Sequence, residues 1–133
     1  MCLDGTIPVS ELPLVLRRIG EMGADYGLTV GNVFHAGDGN MHPLILYNAN
    51  KPGELEKAEA LGADILTLCV EVGGCLTGEH GVGVEKRDIM PAQYSQDDLA
   101  IQMDVKDVFD PGWILNPAKM FPLEASAGRR LAE

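Results

Sequence analysis

Leu28-Thr29-Val30-Gly31-Asn32-Val33-Phe34-His35-Ala36-Gly37-Asp38-Gly39-Asn40-Met41-His42-Pro43-Leu44-Ile45-Leu46-Tyr47 reads as two strands around a turn. Residues 28–36 are rich in Thr, Val and Phe and residues 41–47 in apolar types, with Gly37-Asp38-Gly39-Asn40 as a turn signal between them. With Asp38-Gly39 as a two-residue turn, Gly37 faces Asn40, Ala36 faces Met41 and His35 faces His42. Opposed residues of an antiparallel pair share a face, their Cβ atoms about 4.5–5.5 Å apart. Two imidazoles held that way can grip one metal ion, about 2.0–2.1 Å from each nitrogen.

Helical patterns flank this hairpin. Ser10 is placed to cap a helix running to about Tyr26, with Pro13 in its first turn and Leu12, Val15, Leu16 and Ile19 on one face. After the hairpin, Leu55, Ala58, Gly62, Ile65, Cys69 and Val72 recur at helical spacing, and Gly73-Gly74 supplies the stop. Ser95-Gln96-Asp97-Asp98 opens a third helix that must end before Asp110-Pro111-Gly112. The small, polar-ended tail from about residue 124 is expected to fray. These elements make an α+β fold, an antiparallel sheet with helices packed on one face. Two strands alone are marginal, so the sheet is expected to borrow strands from sequence lying elsewhere.

Composition narrows the function classes. At 133 residues the chain fits one domain, residues 1–133, yet is short for a complete redox enzyme. A formal charge of −10 argues against nucleic acid, which needs a Lys/Arg surface. No apolar run approaches the roughly 20 residues of a membrane span, and the start lacks the features of a signal peptide. A cytoplasmic protein is therefore expected. The 3 cysteines, Cys2, Cys69 and Cys75, are odd in number and lack C-x-x-C spacing, which argues against a disulfide framework. Cys69 is expected as a buried thiol.

A glycine-rich loop, Gly78-Glu79-His80-Gly81-Val82-Gly83, adds a carboxylate beside the remaining histidine. Glu79 as third ligand completes a two-histidine, one-carboxylate set with open coordination positions, the arrangement of a catalytic metal. His80 is then free to take a proton from a substrate hydroxyl. A plainer reading fits the same residues, with Glu79 capping a helix and His80 solvated. The loop does not match a P-loop or a dinucleotide fingerprint.

Residues Gly31 to Leu44, Gly74-Cys75-Leu76-Thr77-Gly78-Glu79-His80-Gly81-Val82-Gly83 and Phe109-Asp110-Pro111-Gly112-Trp113-Ile114-Leu115-Asn116-Pro117-Ala118-Lys119 together resemble the C-terminal domain of FAD-linked oxidases of the vanillyl-alcohol oxidase type. Within that group the resemblance is to glycolate oxidase flavin subunits and to D-lactate and D-2-hydroxyglutarate dehydrogenases. It implies the ferredoxin-like half of a substrate domain and a divalent, zinc-like metal on His35, His42 and Glu79. It further implies His80 as catalytic base, and Asn116 and Lys119 near the flavin. The implied reaction oxidises a small 2-hydroxy acid to the 2-oxo acid. Such proteins carry FAD on a large N-terminal domain, for which nothing in these residues provides, so the chain is expected to be a fragment, inactive alone. Two other classes stay open: a metal-dependent hydrolase on the same ligands, and a non-catalytic module completing another subunit.

Overall fold

The computed structural model describes residues 1–129 and divides the chain into two compact units, Met1–Gly81 and from Val82 onward, where a single domain was expected. In the first unit, strand β1 (Gly5–Thr6) precedes helix α1 (Leu12–Tyr26), strands β2 (Thr29–His35) and β3 (Asn40–Leu46), and helix α2 (Glu54–Glu71). The strands form an antiparallel sheet in the order β1-β3-β2. Two residues carry no periodicity, which is why β1 is invisible in the sequence.

Both long helices of this unit pack on one face of the sheet, as the α+β reading requires. Met41, Pro43 and Ile45 point from β3 into that core, against Val15 and Ile19 of α1 and Leu61 and Ile65 of α2. Cys69 is buried there as a free thiol. Helix α1 opens on a 3-10 turn, Val9–Glu11, and Ser10 does not cap it; Glu11 occupies the cap position without a side-chain bond. Pro13 sits in the first turn, where its missing N–H costs nothing.

The hairpin register differs from the expected one by two residues. His35 pairs with Asn40 and Val33 with His42, leaving a four-residue loop of Ala36, Gly37, Asp38 and Gly39. Gly39 explains it. Its φ of 68° lies in the left-handed region, and its carbonyl accepts the Ile7 N–H at 2.9 Å. A Cβ at Gly39 would stand 2.0 Å from the Ile7 carbonyl oxygen, so the loop tip lies flat on the strand-β1 segment. A shift of two preserves the alternation of faces, whereas a shift of one would reverse it. His35 and His42 therefore still share the face opposite the helices, as diagonal neighbours.

The second unit holds a one-turn helix α3 (Met90–Gln93), helix α4 (Gln96–Phe109) and a one-turn helix α5 (Leu123–Ser126). Ser95 caps α4 in a reciprocal box with Asp98, as the sequence predicts. The tail expected to fray from about residue 124 instead carries α5, with Ser126 buried and Arg129 bonded to Asp104 and Asp107. Residues 130–133 of that tail lie outside the described residues. No helix among the described residues is long and apolar enough to cross a membrane.

Candidate active site

Three strands set out the site in rows on the helix-free face. Thr6, Asn40 and His35 align across the sheet in one row. The bridge between Cys2 and Leu44 continues the β1–β3 register, which puts Asp4 opposite His42 and Val33 in the next row. Over these rows folds the loop of residues 77–80, tied down by Asp4. One Asp4 oxygen accepts the Thr77 hydroxyl at 2.8 Å and the N–H groups of Gly78, Glu79 and His80 at 3.0, 3.1 and 2.8 Å. Asp4 is thereby fully buried. Gly78 lets the loop come this close, since a Cβ there would lie 2.8 Å from Asn40 Oδ1.

Glu79 is delivered to the histidines. Its Oε1 lies 2.9 Å from His42 Nε2, 3.6 Å from His35 Nε2 and 3.0 Å from Asn40 Nδ2. The His35 and His42 rings meet edge to face at 5.4 Å between centroids, and His80 stacks on His42 at 5.3 Å. The sequence-predicted residues His35, His42, Glu79 and His80 thus come together. His35 and Glu79 are more than half exposed and border a shallow cleft of about 440 Å³ with Thr6, Asp38 and Asn40.

The donor chemistry bears on what this cluster can hold. His42 Nδ1 lies 3.1 Å from the Leu3 carbonyl oxygen, which can only accept, so Nδ1 carries the ring proton. In neutral His42, Nε2 then turns a lone pair toward a carboxylate oxygen 2.9 Å away. Two acceptors face each other at that distance only with a proton or a cation between them. Ligands about 2.0–2.1 Å from one ion lie about 2.9–3.4 Å apart, so the His42 separation of 2.9 Å is within that range and the His35 separation of 3.6 Å is just beyond it. The residues fit a divalent metal.

The group of possible ligand atoms among the described residues overlaps the expected set only in part. Asp4, His42, Glu79 and His80 present ligand atoms within 4.8 Å of one another. Asp4 is taken up by the loop's donors and has no exposed surface, and His35 lies outside this group of four, 3.6 Å from Glu79 Oε1. Sequence reading missed both Asp4 and Asn40. Asp4 stands just before a strand of two residues, too short to give a periodic signal, and Asn40 lies at the turn end of β3.

Asn116 and Lys119 belong to the second unit and not to this cluster. They border a largely apolar groove of about 390 Å³ with Phe109, Trp113, Met120 and Phe121. Asp110 builds the loop that carries them. Its carboxylate accepts the Ile114 and Leu115 N–H groups at 3.0 Å each and pairs with Lys106 at 2.7 Å. Trp113, Asn116 and Ala118 all take positive φ, at 50°, 49° and 58°.

The pattern of the family "FAD linked oxidases, C-terminal domain" matches residues 1–120. The chain belongs to that family. It is 56% identical over 121 residues to glycolate oxidase subunit GlcD of Escherichia coli K12, covering 91% of this chain and 24% of that protein. The Bacillus subtilis GlcD is 36% identical over 92% of this chain and 26% of its own length. Mitochondrial D-lactate dehydrogenase [cytochrome] of Kluyveromyces lactis is 35% identical over 91% of this chain and 20% of its own. The chain thus spans about a quarter or less of these relatives. The α+β sheet with helices on one face agrees with membership in this oxidoreductase family.

Proposed function

We propose that the cluster of His35, His42, Glu79 and His80 is the metal-binding and proton-accepting part of a site that oxidises a small 2-hydroxy acid, glycolate or D-lactate, to the 2-oxo acid. The observation that carries this is the meeting of two imidazole nitrogens on one carboxylate oxygen, with a third imidazole stacked beside them. FAD would be held by sequence beyond this chain, which spans about a quarter or less of its relatives. The family and the printed names of the relatives support this reaction class.

His35, His42 and Glu79 would hold the metal, a zinc-like divalent ion, for which nitrogen and oxygen donors are suited. Such an ion would supply Lewis acidity toward the substrate hydroxyl, and FAD would supply the hydride acceptor. The imidazole of His80 takes the hydroxyl proton as the C2–H bond breaks, and its stacking on His42 keeps it next to the ligands. The Leu3 carbonyl fixes the tautomer of His42, which leaves Nε2 as the nitrogen that would ligate a metal.

In the second unit, Asn116 and Lys119 would face the flavin. Helix α4 supports a companion for this unit by exposing Ile101, Val105, Val108 and Phe109 at spacings that form one stripe. The compartment we assign is the cytoplasm, where the free thiols Cys2, Cys69 and Cys75 persist.

Elemental analysis of the purified chain tests the ligand set. About one divalent metal per chain is expected in the wild type, and almost none in the His35→Ala, His42→Ala double variant. Unaltered metal content in that variant overturns the assignment. The 133 residues alone are expected to carry no FAD and no dehydrogenase activity, and a stoichiometric flavin spectrum would refute this part.

A further inference from the structure

We propose that Asp4 and Asn40 are positioning residues that clamp Glu79 from two sides, a role that rests on the metal reading above. Neither touches substrate in that reading. Asp4 acts on the backbone: its carboxylate gathers three consecutive N–H groups, those of Gly78, Glu79 and His80, together with the Thr77 hydroxyl. These donors come from 73 to 76 residues away, so Asp4 ties this turn to the start of the chain, whereas the local bond from the Thr77 hydroxyl to the Gly81 carbonyl only closes the loop on itself. Asn40 acts on the side chain, donating Nδ2 to Glu79 Oε1 at 3.0 Å.

The orientation of Asn40 carries the second half of the inference. With its NH2 given to Glu79, its Oδ1 is buried without a hydrogen-bond partner. A buried amide normally adopts the rotamer that satisfies both ends. Here one end goes unsatisfied while the donor is kept on the carboxylate, as expected if Glu79 must be aimed. A carboxylate oxygen has two lone pairs. Asn40 occupies one direction, which leaves the other for the cation shared with His42 and His35. A ligating carboxylate held by its own hydrogen bond is the arrangement that tunes metal affinity.

The test is a cobalt(II) titration of the full chain, followed by visible absorption, with folding checked by circular dichroism. Asp4→Asn is expected to weaken binding about 10–100-fold and Asn40→Ala about 10-fold, each with an altered d–d spectrum. In a Glu79→Gln background, the same two changes are expected to alter affinity by less than about twofold, because their effect runs through Glu79. A general loosening of the fold would instead lower affinity equally in both backgrounds and would overturn the proposal. Wild-type-like binding by both single variants would overturn it too, leaving the metal reading intact. Failure of the wild type to bind cobalt would remove both. If Asp4→Asn does not fold, the Asn40→Ala and Glu79→Gln cycle decides.

Discussion

Two buried aspartates, one in each unit, collect backbone N–H groups, and they differ in how far along the chain they reach. Asp4 binds Thr77, Gly78, Glu79 and His80, closing a long circuit between the first strand and a loop that follows the last helix of its unit. Asp110 binds Ile114 and Leu115 and the ammonium of Lys106, all within five residues of itself. The first holds tertiary structure together and thereby sets the ligand cluster. The second shapes a local loop, and its neighbours would stay near one another without it. A hydrogen-bonded carboxylate thus has different consequences according to the chain entropy it spans.

That contrast predicts unequal costs of truncation. Asp4→Ala removes the carboxylate acceptor of three part-buried N–H groups and a hydroxyl, of which Gly78 N–H keeps the Asp4 carbonyl and the Thr77 hydroxyl that of Gly81, at about 1–3 kcal/mol for each group left unpaired out of reach of water. A loss of about 3–5 kcal/mol in urea unfolding followed by far-ultraviolet circular dichroism is expected. Asp110→Ala should cost less and act locally, visible mainly in the fluorescence of Trp113, the 1 tryptophan of the chain. Equal costs would abolish the distinction.

Gly39→Ala probes the same long circuit from the hairpin side. The change forces a Cβ to within 2.0 Å of the Ile7 carbonyl oxygen at a φ of 68°. Left-handed backbone alone costs about 1–2 kcal/mol for a non-glycine residue, and the clash adds to it. A thermal-unfolding loss of at least about 2 kcal/mol is expected, with weaker metal binding because β1 and its Asp4 shift together. Retained stability would show that the loop tip is not pressed against β1.

How legible these features are follows the same division. Local signals speak plainly: the Ser95–Asp98 box, Pro13 in the first turn and the apolar period of α2 all reappear in the fold. The hairpin was half legible. Asp38-Gly39 looks like a two-residue turn, but Gly39 is claimed by Ile7, a contact no local pattern encodes. His35 and His42 stayed on one face because the register moved by an even number. Asp4 bonds the loop that carries Glu79 to them, and a lone acid just before a two-residue strand carries no period to betray it.

The local circuit of Asp110 has its own acid signature. The hydrogen bond from Lys106, with the Leu115 and Ile114 N–H groups adding to it against some desolvation, holds this carboxyl below its ordinary range. A depressed folded-state value means that the stabilisation is complete above the unfolded value of about 3.9 and is lost as pH falls through the folded one. Lys106→Met removes the largest cause, so the Asp110 carboxyl, followed by NMR, should titrate at higher pH. The acid change in Trp113 fluorescence should move the same way. An unmoved titration would transfer control of the loop to the backbone donors alone.

The smallest expected effect separates strain from design in that loop. Ala118 sits at φ 58°, and the bond it makes, its carbonyl accepting Arg87 Nη1 at 2.7 Å, comes from the backbone and survives substitution. Glycine would remove a left-handed penalty of about 1–2 kcal/mol while adding about 0.5–1 kcal/mol of chain entropy to the unfolded state. Ala118→Gly should therefore gain about 0.5–1 kcal/mol in chemical denaturation. Asn116→Gly, at φ 49°, should change little, because asparagine already tolerates this region. The difference between the two isolates backbone strain from side-chain contact. A loss of stability in Ala118→Gly would mean that its methyl group packs usefully, and that Asp110 and Lys106 hold the loop without stored strain.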